Sequence, residues 1–259
     1  MAVEKSRALV LRTTPFGETS SVVTIYCREF GKLRALAKGA WRPKSGFDGA
    51  LDLLSSCQVL VLRKSSGGLD LLTEAGLEHR FRVGSSLAAV LGGLHVAELL
   101  DALTADADPH PELFDVAHAT LRRLSDWQGD EGPIAALLTR LELAILRLIG
   151  QGPVLSRCAE CHGGLPAAPR TAFGMLDGGT LCGRCRAGRR GVVSVSSPAL
   201  NSLRLLADNR VSPDDVPLAA TLAGEVRGIM TTLLAHTLGR PLRVPARLPS
   251  RGGPHRRTS

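Results

Sequence analysis

The 259 residues include 44% hydrophobic and 22% charged side chains, which excludes a wholly disordered or fibrous chain. The longest stretch without Asp, Glu, Lys or Arg runs 15 residues from Val83 to Ala97, too short and too polar to cross a bilayer. The net charge of +8 divides into +4 over residues 1–80, −5 over 81–150 and +9 over 151–259, so two basic regions flank an acidic middle.

That asymmetry suits a polyanion such as nucleic acid. The plainer reading is a solvated surface with a basic tail at Arg251, His255, Arg256 and Arg257. The opening Met-Ala-Val-Glu-Lys-Ser-Arg has no apolar stretch of the secretory kind, so a cytoplasmic protein is expected.

Residues 1–80 read as β structure. Arg7–Arg12 is a short run that ends at Thr13-Thr14-Pro15-Phe16-Gly17, and Ser21–Cys27 is β-branched and ends at Glu29-Phe30-Gly31. Lys32–Lys38 alternates charged and apolar residues, as a half-buried strand does. A basic loop follows at Gly39–Gly46. Gln58–Arg63 and Leu69–Thr73 are then joined by Lys64-Ser-Ser-Gly-Gly68, a hairpin signal. Five short strands of this kind predict a small closed barrel, most simply an OB-fold.

From residue 81 the period changes to that of helix. Leu87, Val90, Leu91 and Leu94 share one face, as do Leu113, Val116, Ala117, Leu121 and Leu124. The strongest pattern is Ile134, Leu137, Leu138, Leu141, Ile145 and Leu148, opened by Pro133 and closed by Gly150. A Gly/Pro break at Gly150-Gln-Gly-Pro153 leads into a cysteine segment. Helix returns at Ser197-Pro198 and again through Leu222, Val226, Ile229, Met230 and Leu233, stopping at Gly239. The expected organisation is an α+β multidomain chain. It runs as a barrel (1–80), a helical part (81–152), a cysteine segment (153–192), a second helical part (193–240) and a basic tail (241–259).

Four of the six cysteines form Cys158-x2-Cys161 and Cys182-x2-Cys185, separated by 20 residues. Each CxxC turn sets two thiolates on one side of a tight loop, and two loops complete a tetrahedral all-sulfur site suited to one structural zinc ion. Arg157, Arg184 and Arg186 would offset the site's negative charge. Cys158-Ala-Glu-Cys161-His162 also matches a c-type haem attachment, but that match ignores the second pair. A disulfide is disfavoured in a reducing cytoplasm, and neither pair opens a helix as a redox CxxC would. Cys27 and Cys57, in or beside strands, read as small hydrophobes.

Other chemistry finds no residues. Gly39–Ser45 resembles a phosphate-binding loop, but Pro43 stands where a Gly should precede Lys44. The chain lacks GxSxG, HExxH and HxE…PCxxC, and His79, His95, His110, His118 and His236 are scattered. No enzyme is expected.

The order of parts resembles the RecO family of bacterial recombination mediators. The resemblance rests on Gly17-Glu18 before a β-branched run, on Phe30-Gly-Lys-Leu-Arg-Ala-Leu-Ala-Lys-Gly-Ala-Trp-Arg-Pro-Lys-Ser45, and on Leu113-Phe114. Gly150 ahead of Cys158-x2-Cys161, Gly178–Cys185 and His236-Thr-Leu-Gly-Arg240 extend it over nearly the whole chain. Leu242-Arg-Val-Pro-Ala-Arg is only a loose version of the family's ending. The resemblance implies a protein that is not an enzyme. It implies binding of single- and double-stranded DNA, annealing of complementary strands, and assistance to RecA loading on DNA coated by single-strand-binding protein, together with RecR. A nucleoid-associated cytoplasmic location goes with it.

Lys32, Arg34 and Lys38 fall on one face of a strand, and Arg42 and Lys44 carry the positive charge into the loop. These five suit a phosphate backbone, or else form an ordinary charged face. Trp41 stacks on a base or packs against the barrel end. Arg122, Arg123, Arg140 and Arg147 lie beside apolar helix faces, either as solvated surface or as the edge of a groove that would suit the acidic, apolar tail of single-strand-binding protein. Two other readings use the same features: an RNA-binding or ribosome-associated zinc-ribbon protein, and a scaffold whose charge serves solubility.

Overall fold

The computed structural model describes residues 3–47, 49–64, 68–82, 84, 86–125, 127–129, 132–216 and 218–244. Residues 65–67 of the expected hairpin and the basic tail residues Arg251, His255, Arg256 and Arg257 lie outside the described residues. Two compact units divide the chain, Met1–Gln128 and Gly129–Ser259.

In the first unit, β1 (Val3–Phe16), β2 (Ser20–Cys27), β3 (Gly31–Ala37), β4 (Ser56–Leu62) and β5 (Asp70–His79) close into a barrel in the order β1-β2-β3-β5-β4. Every neighbouring pair is antiparallel except β3 and β5. This is the five-stranded OB arrangement the alternating patterns predict. β1 pairs with both β2 and β4, and a register shift between Val10 and Arg12 lets it serve both. The period-2 pattern fills the interior with Val23, Ile25 and Cys27 from β2, Leu33, Ala35 and Ala37 from β3, and Val59 and Val61 from β4. Cys27 and Cys57 are fully buried there, and burial pushes both thiols up, that of Cys57 to about 12. They act as small core hydrophobes, with their thiols held neutral.

α1 (Leu87–Leu103), capped by the Ser86 hydroxyl, and α2 (Pro111–Leu124), opened by its proline, belong to the same unit. The segment between them passes against the β2–β3 turn. At Gly31, φ is +70° and a Cβ would collide with the backbone of Asp108, so two separate constraints require glycine there.

The second unit holds α3 (Gly132–Leu148), α4 (Ser197–Ala207) and α5 (Ala220–Leu238) with a small antiparallel sheet. Its strands β6 (Arg170–Gly174), β7 (Gly179–Leu181) and β8 (Val192–Ser196) run in the order β7-β6-β8. Ser196 caps α4, followed by Pro198, and α5 ends at Gly239 with φ +67°. Glu142 of α3 is completely buried and meets Arg227 of α5, whose Nη1 stands 2.7 Å from both carboxylate oxygens. No described helix is long and apolar enough to cross a membrane.

Candidate metal centre and nucleic-acid interface

The two CxxC turns converge. The sulfurs of Cys158, Cys161, Cys182 and Cys185 all lie within 4.8 Å of one another, with Cys161 Sγ and Cys182 Sγ 3.9 Å apart. An ion about 2.3 Å from four tetrahedral sulfurs would hold them roughly 3.8 Å apart, so the spacing fits a metal. The first turn closes through Cys158 N–H to Gly163 O (2.9 Å) and His162 N–H to Cys158 O (3.0 Å). His162 occupies the left-handed region there, at φ 57°. Backbone bonds join the first turn to the second: Ala159 N–H donates to Thr180 O (2.8 Å), and Thr180 N–H to Val154 O (2.8 Å). A Cβ at Gly179 would strike Val154, so glycine allows the close approach.

The N–H of Cys182 donates to the Cys158 sulfur at 3.4 Å. Such backbone donors, at Cys161 and Cys182, lower the Cys158 thiol to about 6, while hydrogen bonding to Cys182 and Cys161 raises Cys185. The lowered thiols of Cys158 and Cys182 suit metal ligation, which requires thiolate. Arg189 bridges Glu160 (2.8 Å) in the first turn and Asp177 (2.9 Å) before β7. Sequence reasoning named Arg157, Arg184 and Arg186 as the nearby cations. Arg189 stands in the sequence as one of a basic group with Arg184, Arg186 and Arg190, and its bridge between the two loops comes only with the fold.

On the barrel, Arg34 and Lys38 point outward from β3 and its exit and are exposed, as are Arg42 and Lys44 in the following loop. Lys44 adopts φ 59°, and the loop is closed by Arg42 N–H to Gly39 O (3.0 Å) and Ser45 hydroxyl to Ala40 O (3.0 Å). Trp41 is 59% exposed. Its backbone N–H reaches Thr19 O (3.0 Å) and its indole N–H reaches Ser21 Oγ (2.8 Å), which orients the ring at the barrel rim.

Lys32 stands apart from the other cations. Its ammonium donates to the carbonyls of Asp101 and Thr104, 2.7 Å each, with the Asp106 carboxylate at 3.6 Å, and its side chain is only 12% exposed. The same strand face therefore holds one cation tied to the end of α1 and another, Arg34, exposed. An open groove of about 500 Å³ runs past both, lined also by Arg63 and Lys64, with Asp70 paired to Arg63 at 3.1 Å.

A basic five-stranded barrel followed by a helical unit with a four-cysteine cluster defines an OB-fold protein with a separate metal site. The family model described as Recombination protein O N terminal matches residues 1–81, and the one described as Recombination protein O C terminal matches residues 84–246. The chain belongs to this family, RecO. It is similar to the DNA repair protein RecO of Rhodopirellula baltica, with 41% identity over 80% of this chain and 76% of that one. The DNA repair proteins RecO of Myxococcus xanthus and Anaeromyxobacter dehalogenans are 32% and 33% identical, covering 91% and 92% of this chain and 93% and 92% of theirs.

Proposed function

We propose that the chain is a DNA-binding recombination mediator in repair. It binds single- and double-stranded DNA, anneals complementary strands, and assists RecA loading on strands coated by single-strand-binding protein, together with RecR. The observation that carries this reading is the exposed cationic surface of Arg34, Lys38, Arg42 and Lys44 on the barrel of a RecO-family chain. From Phe30 to Phe47 there are five basic residues and no acidic one.

Cations on a strand face and its exit loop bind phosphates by releasing counterions, so affinity is blind to sequence and falls steeply with salt. Such a surface holds two strands in turn and leaves their base edges free to pair. Lys32 drops out of this phosphate-binding group, since its donors are spent on backbone carbonyls and its role is to position β3. Trp41 supplies a stacking face beside the cations.

Cys158, Cys161, Cys182 and Cys185 would hold one zinc ion, in keeping with an all-sulfur donor set of this spacing. Zinc bound there would supply cross-links between two loops and no open position for a reacting water. For the acidic, apolar tail of single-strand-binding protein, an apolar groove of about 210 Å³ between α3 and α4 is a fitting seat. Leu143, Ala144, Pro153 and Leu206 line it, with Arg147 at the edge to meet a carboxylate. The reaction takes place on the bacterial chromosome in the cytoplasm.

The experiment is annealing of complementary strands precoated with single-strand-binding protein. Acceleration by the wild-type chain supports the reading. Equal rates with and without it, or preference for structured RNA over single-stranded DNA in competition, would remove it.

A further inference from the structure

The chain has six phenylalanines, two tryptophans and one tyrosine. Tyr26, Phe47, Phe81, Phe114 and Phe173 are buried, Trp127 is half-buried, and Phe30 is half-buried with the Arg63 guanidinium over its ring at 5.5 Å. Only two are exposed, Trp41 at 59% and Phe16 at 57%. Both belong to one feature. Phe16 ends β1 directly across from Ser20, and Ser20 Oγ accepts from Gly39 N–H at 3.2 Å. Trp41 is hydrogen-bonded to Thr19 and Ser21, the residues on either side of Ser20. The two exposed rings therefore flank the same hairpin turn, Gly17–Thr19, and Lys38 leads directly into the loop that holds Trp41.

We propose that Phe16 is a second base-stacking platform beside Trp41, so that this rim of the barrel takes the unpaired bases of single-stranded DNA. The inference rests on the DNA-binding reading above and deepens it. Leaving a phenylalanine more than half exposed forfeits the burial that the other phenylalanines in this chain obtain, and the flanking cations identify what covers it. Phe16 faces Ser20, which is hydrogen-bonded to Gly39 between Lys38 and the loop of Arg42 and Lys44. An exposed ring in that setting suits a ligand that is anionic along its backbone and flat and apolar at its bases. Glu18, at the tip of the turn, is the one opposing charge between Arg12 and Arg28. In a duplex the base faces are already stacked on one another, so these rings have nothing to receive. The cations bind single and double strands alike, and the rings discriminate between them.

The test compares an oligothymidylate, an abasic oligomer of equal length and a duplex, using the full chain with Trp127→Phe so that Trp41 reports alone. The expected result is quenching of Trp41 by oligothymidylate and little by the abasic oligomer. Phe16→Ala should weaken oligothymidylate binding about 5- to 150-fold, consistent with loss of one stacked base, and change duplex and abasic binding by less than about twofold. Phe16→Tyr should restore it, and Phe16→Leu, apolar without a π face, should not. Equal binding by Phe16→Ala, or full rescue by leucine, overturns the stacking role. Unchanged DNA binding with lost annealing on protein-coated strands would assign Phe16 to a protein interface and equally overturn it. Charge reversal at Arg34 and Lys38, run in parallel, separates the two failures: if it too leaves all three ligands bound as before, the DNA-binding reading itself falls.

Discussion

The ammonium of Lys32 donates to the backbone carbonyl of Thr104 at 2.7 Å, joining the outer face of β3 to the residue that ends α1. Together with the Asp101 carbonyl and the Asp106 carboxylate it consumes the charge of Lys32 inside the protein. Lys32→Ala is expected to strand these acceptors and destabilise the N-terminal unit by about 1–3 kcal/mol. The salt dependence of DNA binding should stay as in wild type. Denaturant unfolding and a salt titration on the same sample check both halves.

Removing one thiolate of the cysteine cluster should remove the metal. Purified wild-type protein is expected to contain one zinc per chain, and Cys158→Ser or Cys182→Ser to lower both metal content and soluble yield, because metal binding is part of the folding free energy. Metal analysis showing no zinc, with both variants as stable as wild type, would contradict the assignment.

How far these sites are legible in the sequence depends on the reach of the interaction. The cysteine ligands come in local pairs, so their spacing alone announces the cluster. The barrel strands announce themselves by alternation, as in Leu33, Ala35 and Ala37 facing inward with Arg34 outward. Lys32 sits in the same alternation as Arg34, and its different role comes from partners 69 and 72 residues away. The strands β6, β7 and β8 are three to five residues long, too short to carry a period, and are held by the loops around the cysteines. Phe16 reads in sequence as one more turn residue beside Pro15 and Gly17. Its exposure is visible only once the other aromatics have found their places in the core.

The Glu142–Arg227 pair is expected to behave as a buried ion pair does. Arg227→Met alone leaves a carboxylate without its guanidinium in the α3–α5 interface and should cost about 3–5 kcal/mol. Glu142→Leu combined with Arg227→Met should recover most of that loss. Chemical denaturation of the two variants measures the difference.

Glu225 supplies a pH dependence. Burial alone would raise its carboxyl, but the hydroxyl and N–H of Ser196 (2.5 and 2.8 Å) and Arg170 (2.9 Å) outweigh it and hold it below the ordinary range. A carboxylate lowered in the folded state stabilises it above its unfolded value, about 4.3, and loses that contribution as pH falls through the folded value. Glu225→Gln should therefore be less stable than wild type at pH 7 and lose part of the acid-induced decline. Thermal midpoints between about pH 3 and 7 test this.

If Arg34 and Lys38 bind DNA phosphates, the slope of log K against log salt for single-stranded DNA carries their signature. Arg34→Glu with Lys38→Glu should weaken binding to every sequence about equally and flatten the slope by roughly 0.7 for each phosphate no longer neutralised, about 1.4 in all. Circular dichroism should show an intact fold, since both side chains are exposed. A folded double variant that keeps the wild-type slope and affinity would contradict the account and move the DNA site off the barrel.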